Sequence, residues 1–295
     1  MQDYESIIRD FSDKIGKPLM KWDSCDCNNF IKSIPSLRKN TFNKKKSYLY
    51  SHLRENYGNS ANDVIKLFES IQYSDIDIED KVEESYYFSF GELDETIEKH
   101  ISIVYGEDNQ EAHLHLKLLL ILGWYGFPIE DSLSIKNSDI DLDGNVYIRG
   151  ILTDLPQKLR EEIIQLRDTK SFCVSTTDGR HAKYNKKESE YLFRTTKTDV
   201  MTKESASVKI KNLNVREAFE ITNKRIEFEK ILTSGIFYRA LLDERENGEV
   251  YRIAGNDRLN VTDRDRAEKL FVVGGVLTST LRLYDTFKKI AQRTT

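Results

Sequence analysis

The stretch LLLILGWYGFPIEDSLSIKNSDID, Leu118–Asp141, decides how the chain is read. Its opening run, Leu118 to Phe127, is the longest apolar stretch of the sequence. It is well short of the ~20 residues that span a bilayer, and Gly123 and Gly126 interrupt it, so a buried helix is expected. Pro128 then starts a short helix, because proline lacks an N–H that a first turn does not need, and Glu130 and Asp131 complement the helix dipole. The segment closes on Asp139-Ile140-Asp141, which continues through Asp143-Gly144 to Val146-Tyr147-Ile148 as two short β runs joined by a hairpin turn.

Outward from this segment the pattern is helical. Toward the amino terminus, helices are expected at Tyr4–Ile15, Asn28–Ile34, Phe42–Tyr57 and Ser60–Gln72, the third capped by Asn40 or Thr41 and stopped by Gly58-Asn59. Polar, acidic residues from Ser74 to Lys81 mark a linker. The division is residues 1–74 as an amino-terminal helical domain, 75–85 as linker and 86–295 as a second domain. In the second domain helices are expected at Phe90–Tyr105, Gln110–Trp124, Leu155–Arg167, Ser205–Asn212, Val215–Glu229, Ser234–Arg245, Asp263–Val272 and Thr278–Gln292. The fold class is mainly α with a small β-sheet, an α+β chain of two domains.

Composition sets the limits on function. The chain has 295 residues, of which 39% are hydrophobic and 32% charged, enough apolar surface for packed cores and too much for a disordered chain. Met1 to Gly16 is amphipathic and lacks the apolar core of an export signal, so a cytoplasmic protein without a membrane partner is expected. Three cysteines leave no even disulfide framework, Cys25-x-Cys27 has no second pair to complete a zinc site, and His113 and His115 point in different directions on a helix; no metal or cofactor is expected. The net charge of −4 runs against phosphate binding, but it is unevenly spread. Asp75 to Glu111 is acidic, with Lys81 and Lys99 its only Lys or Arg, while cations gather elsewhere.

On these residues the second domain resembles the catalytic domain of the tyrosine recombinases, the phage integrase family. Leu118–Asp141 is similar to the family's first box: an apolar helix, a tight turn, an acidic helix start and a Ser-Asp-Ile-Asp strand. Leu232–Ala240 is similar to the second box, a His-x-x-Arg helix start, and Gly274 to Tyr284 has the family's spacing from a glycine to the nucleophilic tyrosine. The resemblance covers roughly the last two hundred residues, specific in layout and weak in identity. It implies a two-domain fold whose amino-terminal helical module closes one side of a clamp on double-stranded DNA.

The family's reaction needs a tyrosine phenol to attack a phosphodiester, two arginines to stabilise the phosphorus centre, and a Lys or His to move protons. By the ungapped match, Pro128 stands at the first Arg position, Ser234 at the first His and Phe237 at the second Arg, and Gly275 where a later His or Trp is usual. The β turn that carries the family's Lys is absent between Gly150 and Asp154. Only Tyr284 remains, either as a vestigial nucleophile or as a packing residue on an apolar helix face. Loss of a single oxyanion donor costs ~10² to 10³ in rate, so the pattern implies a protein that is not an enzyme.

What the resemblance leaves is DNA binding. Arg38, Lys39, Asn40, Thr41, Asn43, Lys44, Lys45, Lys46 and Tyr48 combine phosphate-neutralising cations with short polar groups at a helix start. In the second domain Arg180, Lys183, Lys186 and Lys187 form a further cationic run, and Arg194, Thr195 and Lys197 lie in a segment similar to one that leads to a DNA-facing loop. Tyr238 and Arg239 are expected at the start of the second-box helix, touching backbone. The same degenerate pattern is similar to the integrase-like lysogeny repressors of SPβ-type Bacillus prophages, which implies a sequence-specific transcriptional repressor acting on operators in a phage genome. Two other classes stay open: a divergent active recombinase that uses Tyr284 with Arg239, Arg245 or Lys136, and a recombinase-fold interaction module presenting the acidic Asp75–Glu111 belt. The carboxy-terminal helix and tail offer either self-association or packing within the chain.

Overall fold

A computed structural model describes residues 4–33, 39–72, 78–148, 151–152, 155–175, 181–195, 198–251, 253–254, 258–259 and 281–294. The chain divides into two compact units, 1–82 and 83–295. It is mainly helical, and the described β structure consists of two-stranded antiparallel ladders. Among the described residues no helix is long and apolar enough to cross a membrane.

The first unit is built on α1 (Tyr4–Ile15), α2 (Ser24–Ser33), α3 (Lys39–Tyr57) and α4 (Asn62–Ser70), with α5 (Glu79–Ser85) running across the boundary, inside the stretch expected as linker. Helix α2 begins four residues before the expected start because Asp23 and Asp26 cap it reciprocally. The Asp23 carboxylate accepts from the Asp26 N–H at 2.9 Å, and the Asp26 carboxylate accepts from the Asp23 N–H at 3.1 Å. Helix α3 begins at Lys39, so Asn40 and Thr41 occupy its first turn and are not its cap. It ends, as expected, at Gly58, whose φ of +55° is costly for other residues. Phe42, Leu49 and Leu53 form its buried stripe, and Phe11, Trp22, Phe30 and Phe68 pack edge-on or tilted at the centre, with centroids 5.0–6.3 Å apart.

The second unit is organised around the apolar segment from which the sequence was read. Helix α6 (Phe90–Tyr105) is capped by Ser89, which accepts from the Glu92 N–H. A π-helical turn (Ala112–Leu116) leads into α7 (Lys117–Trp124), which is buried all round, and Pro128 precedes the short α8 (Ile129–Leu133). The Asp143-Gly144 turn forms: Ile140 bridges Val146, and Asp141 accepts from the backbone of Asp143 and Asn145. Gly144 is obligatory there, with φ +78° and a virtual Cβ 2.5 Å from the Arg160 carbonyl. Strands β1 (Tyr147–Ile148) and β2 (Ile151–Leu152) pair next, followed by α9 (Gln157–Asp168) and the hairpin β3 (Ser171–Ser175) with β4 (His181–Asn185).

Two expected helices change at their boundary. The helix expected over Val215–Glu229 stops at Thr222, because Asn223 takes a left-handed conformation (φ +53°) and accepts the chain reversal. After α10 (Lys203–Asn212) and α11 (Arg216–Thr222), a single helix α12 runs from Phe228 to Asn247. It lies so close to α7 that a Cβ on Gly235 would stand 1.8 Å from the Trp124 carbonyl oxygen. Strands β5 (Ile253–Ala254) and β6 (Arg258–Leu259) and helix α13 (Leu281–Thr294) complete the description. The expected helix at Asp263–Val272 lies outside the described residues.

Candidate nucleic-acid interface

Helix α3 sorts the amino-terminal cluster by face. Its buried stripe Phe42–Leu49–Leu53 turns Asn43, Lys44, Ser47, Tyr48, Ser51 and Arg54 outward, all exposed. Lys44 Nζ stands over the Tyr48 ring, one turn on, 5.8 Å from its centroid, so a cation and an aromatic ring share the surface. Lys45 is half-buried, and burial, then Lys81, lowers its pKa. Lys46 is turned inward: its ammonium donates to the Ile71 carbonyl at 2.8 Å and lies over the rings of Phe42 and Tyr50, so it caps the end of α4. Lys39, Asn40 and Thr41 form the first turn of the same helix, while Arg38 lies outside the described residues. Ser51 and Arg54 were not among the expected contacts; the same helical period that places Lys44 and Tyr48 would have found them.

In the second unit the expected contacts separate. Lys183 and Lys187 are exposed, with Lys187 paired to Asp199 at 2.8 Å. Lys186, one residue away, is 7% exposed; its ammonium donates to the Leu166 carbonyl at 2.8 Å and lies 4.9 Å over Phe172. Burial, then Arg194, brings its pKa down to about 7. Arg194 is likewise buried, donating to the Tyr191 carbonyl at 3.2 Å, with its pKa lowered by burial. It fixes the loop from inside and does not face a ligand. Thr195 is half-buried in a turn with Thr198, their hydroxyls 2.8 Å apart, and Arg180 and Lys197 lie outside the described residues.

The second-box residues also move from their expected place. Tyr238 and Arg239 sit in the middle of α12, not at a helix start, because that helix begins at Phe228. Tyr238 packs on Trp124 with centroids 5.4 Å apart. Arg239 donates from Nη1 to the Trp124 carbonyl at 2.7 Å, closing the carboxy-terminal end of α7 where helix carbonyls are left over, and burial lowers its pKa to about 10. Ser234, at the first His position, is fully buried; its hydroxyl accepts from the Tyr87 N–H and donates to the Lys230 carbonyl. Phe237, at the second Arg position, has no exposed surface.

Tyr284 is fully buried on α13, its ring against Phe237 and Tyr251 and under the Lys288 ammonium. Burial, then Glu244, raises its phenol pKa, the reverse of what a nucleophile at neutral pH needs. Leu283, Phe287, Ile290 and Ala291 are buried with it, so the apolar face of α13 is occupied within its own chain. Of the other candidate cations, Lys136 pairs with Glu190 at 3.0 Å and Arg245 is exposed at the end of α12. No family model matches the chain, and no curated protein matches it.

Proposed function

We propose that the chain is a non-catalytic, sequence-specific binder of double-stranded DNA, derived from a phage integrase, that acts as a transcriptional repressor keeping a prophage silent. The observation that carries the reading is the outer face of α3, where Asn43, Lys44, Ser47, Tyr48, Ser51 and Arg54 stand exposed along one side of a helix. Cations there neutralise phosphates, and the hydroxyl and amide groups reach base edges from the same helix. The repressor role rests on the layout resemblance alone. The burial of Tyr284, together with Pro128, Ser234 and Phe237 at the positions where the family carries its reactive groups, supports binding without cleavage.

Purified protein titrated against fragments of its source genome, at several salt concentrations and with a parallel search for covalent adducts, tests the proposal. Site-selective, salt-sensitive binding without adducts is the expected result. An adduct at Tyr284 replaces the repressor with a divergent recombinase. Absence of binding even at low salt replaces it with an interaction module.

A further inference from the structure

A second feature, unrelated to the face of α3, lies in the core of the second unit. His115 belongs to the π-helical turn ahead of α7 and is 1% exposed. Its ring is stacked on Phe193, with centroids 5.3 Å apart and planes 8° apart, and faces Phe172 at 6.1 Å. Neither ring nitrogen has a hydrogen-bond partner among the described residues. His100 makes the contrast: it is equally buried, but its nitrogens lie 2.9 Å from the Leu213 carbonyl and 2.8 Å from the Thr222 hydroxyl, so oxygen atoms await both of its N–H groups when protonated.

The charged groups facing His115 come from every side of its pocket. Lys186 follows β4, Arg194 lies in the loop after it and Lys209 projects from α10; all three are basic groups, and with the Lys186 pKa at about 7 all three are charged in mild acid. Glu111, just ahead of the π-turn, is paired with Lys209 at 2.8 Å. A small cavity of about 40 Å³, lined by Tyr105, Asn109, Glu111, Lys209 and His115 itself, gives room for a water beside the ring and thus a route for a proton. A neutral imidazole is at home here as one more aromatic plate. An imidazolium is not: it would be buried with no hydrogen-bond acceptor among the described residues, facing three cations and one carboxylate already in use.

We propose that His115 is an acid-sensitive latch, whose protonation forces the ring off Phe193 and Phe172 and releases the packing that holds Lys186 and Arg194 inside the second unit. Released, Lys186 leaves the Leu166 carbonyl and Arg194 the Tyr191 carbonyl, and two cations join the exposed Lys183 and Lys187 on the hairpin side. Mild acid thereby converts a buried cationic cluster into a surface one.

The sign follows from linkage. Burial first, then Lys209, Lys186 and Arg194, holds the His115 pKa well below its usual 6.5. Below 6.5 the open state therefore binds a proton that the closed state refuses, and the closing equilibrium constant falls by up to about tenfold per pH unit. Urea unfolding of the full chain between pH 8 and pH 5 tests this, with His115→Phe as the comparison, since phenylalanine keeps the stacking and cannot be protonated. The wild type is expected to lose up to about tenfold more in folding constant than the variant for each pH unit below 6.5. Equal losses in both proteins overturn the proposal. If His115→Phe does not fold, NMR on the wild type decides: the latch requires protonation of the His115 ring to shift the amides around Lys186 and Arg194 with it, and a ring that titrates with an unchanged amide spectrum, or that does not titrate at all down to about pH 5, overturns it. Neither readout involves nucleic acid.

Discussion

Two cation-aromatic clusters of this chain look alike in sequence and end in opposite environments. On α3, Lys44 meets the Tyr48 ring on an exposed face; in the second unit, Lys186 meets the Phe172 ring in the core, with Arg194 buried beside it. The pairing chemistry is the same, and the surroundings decide its use. At the surface the cation keeps its hydration and stays available to a phosphate. In the core it must hydrogen-bond to backbone carbonyls and pays in ionisation, as the lowered pKa values of Lys186 and Arg194 show. A basic run in a sequence is therefore not one kind of site.

The contrast can be tested aromatic against aromatic. Phe193→Ala removes the plate under His115 and is expected to cost about 3–5 kcal/mol in urea unfolding at pH 7, whereas Tyr48→Ala, at an exposed position, is expected to stay within about 0.5 kcal/mol. A large cost for Tyr48→Ala would mean that its ring packs and is not a contact surface. The next effect in size is Arg239→Ala, which strips the end of α7 of its donor at Trp124. A loss of about 1.5–3 kcal/mol in the same assay is expected, with DNA affinity unchanged; weaker DNA binding with intact stability would return Arg239 to the interface.

Removing cations from the exposed cluster should do the reverse. The double variant Lys44→Ala/Arg54→Ala is expected to leave the unfolding midpoint in place and to reduce the slope of log K against log salt by about two in a DNA titration. An unchanged slope would take this face of α3 out of the interface. A pH dependence is expected as well. Lys186 has a folded pKa of about 7 against an ordinary 10.5, so between these values the unfolded chain holds a proton that the folded chain lacks. Stability should rise as pH increases from about 7 to 10.5, and Lys186→Met should flatten that rise in urea unfolding measured across the window. A variant that retains the wild-type rise would show that the amine is charged in the fold.

Much of the helical framework was legible because its signals are local. The apolar run at Leu118 and Gly58 after α3 act within a few residues and appear as read. Pro128 caps α8 instead of opening it, and the Asp143-Gly144 turn closes a single bridge from Ile140 to Val146 where a hairpin of two runs was expected, Tyr147–Ile148 pairing with Ile151–Leu152 instead. The extent of α12 was not legible. Ser234, Gly235 and Phe237 look like a helix beginning, and only the approach of α7, close enough to demand Gly235, makes them the middle of a 20-residue helix. That shift carried Tyr238 and Arg239 from an expected interface into packing against Trp124.

The candidate site divides in the same way. The exposed half of α3 follows from helical period, since a stripe at Phe42, Leu49 and Leu53 leaves Lys44, Tyr48 and Arg54 no face but the outer one. Lys46 belongs to the same basic run, yet its use depends on where the α4 carboxy-terminus falls, 25 residues later in the chain. The sequence by itself determined a mainly helical chain and the side of α3 that its apolar stripe leaves outward, because propensity, period and turn chemistry act over a few residues. Only the tertiary structure decided which cations keep their water and which surrender it to Leu166, Tyr191 and Trp124, because desolvation depends on neighbours distant in the chain, and no local pattern encodes them.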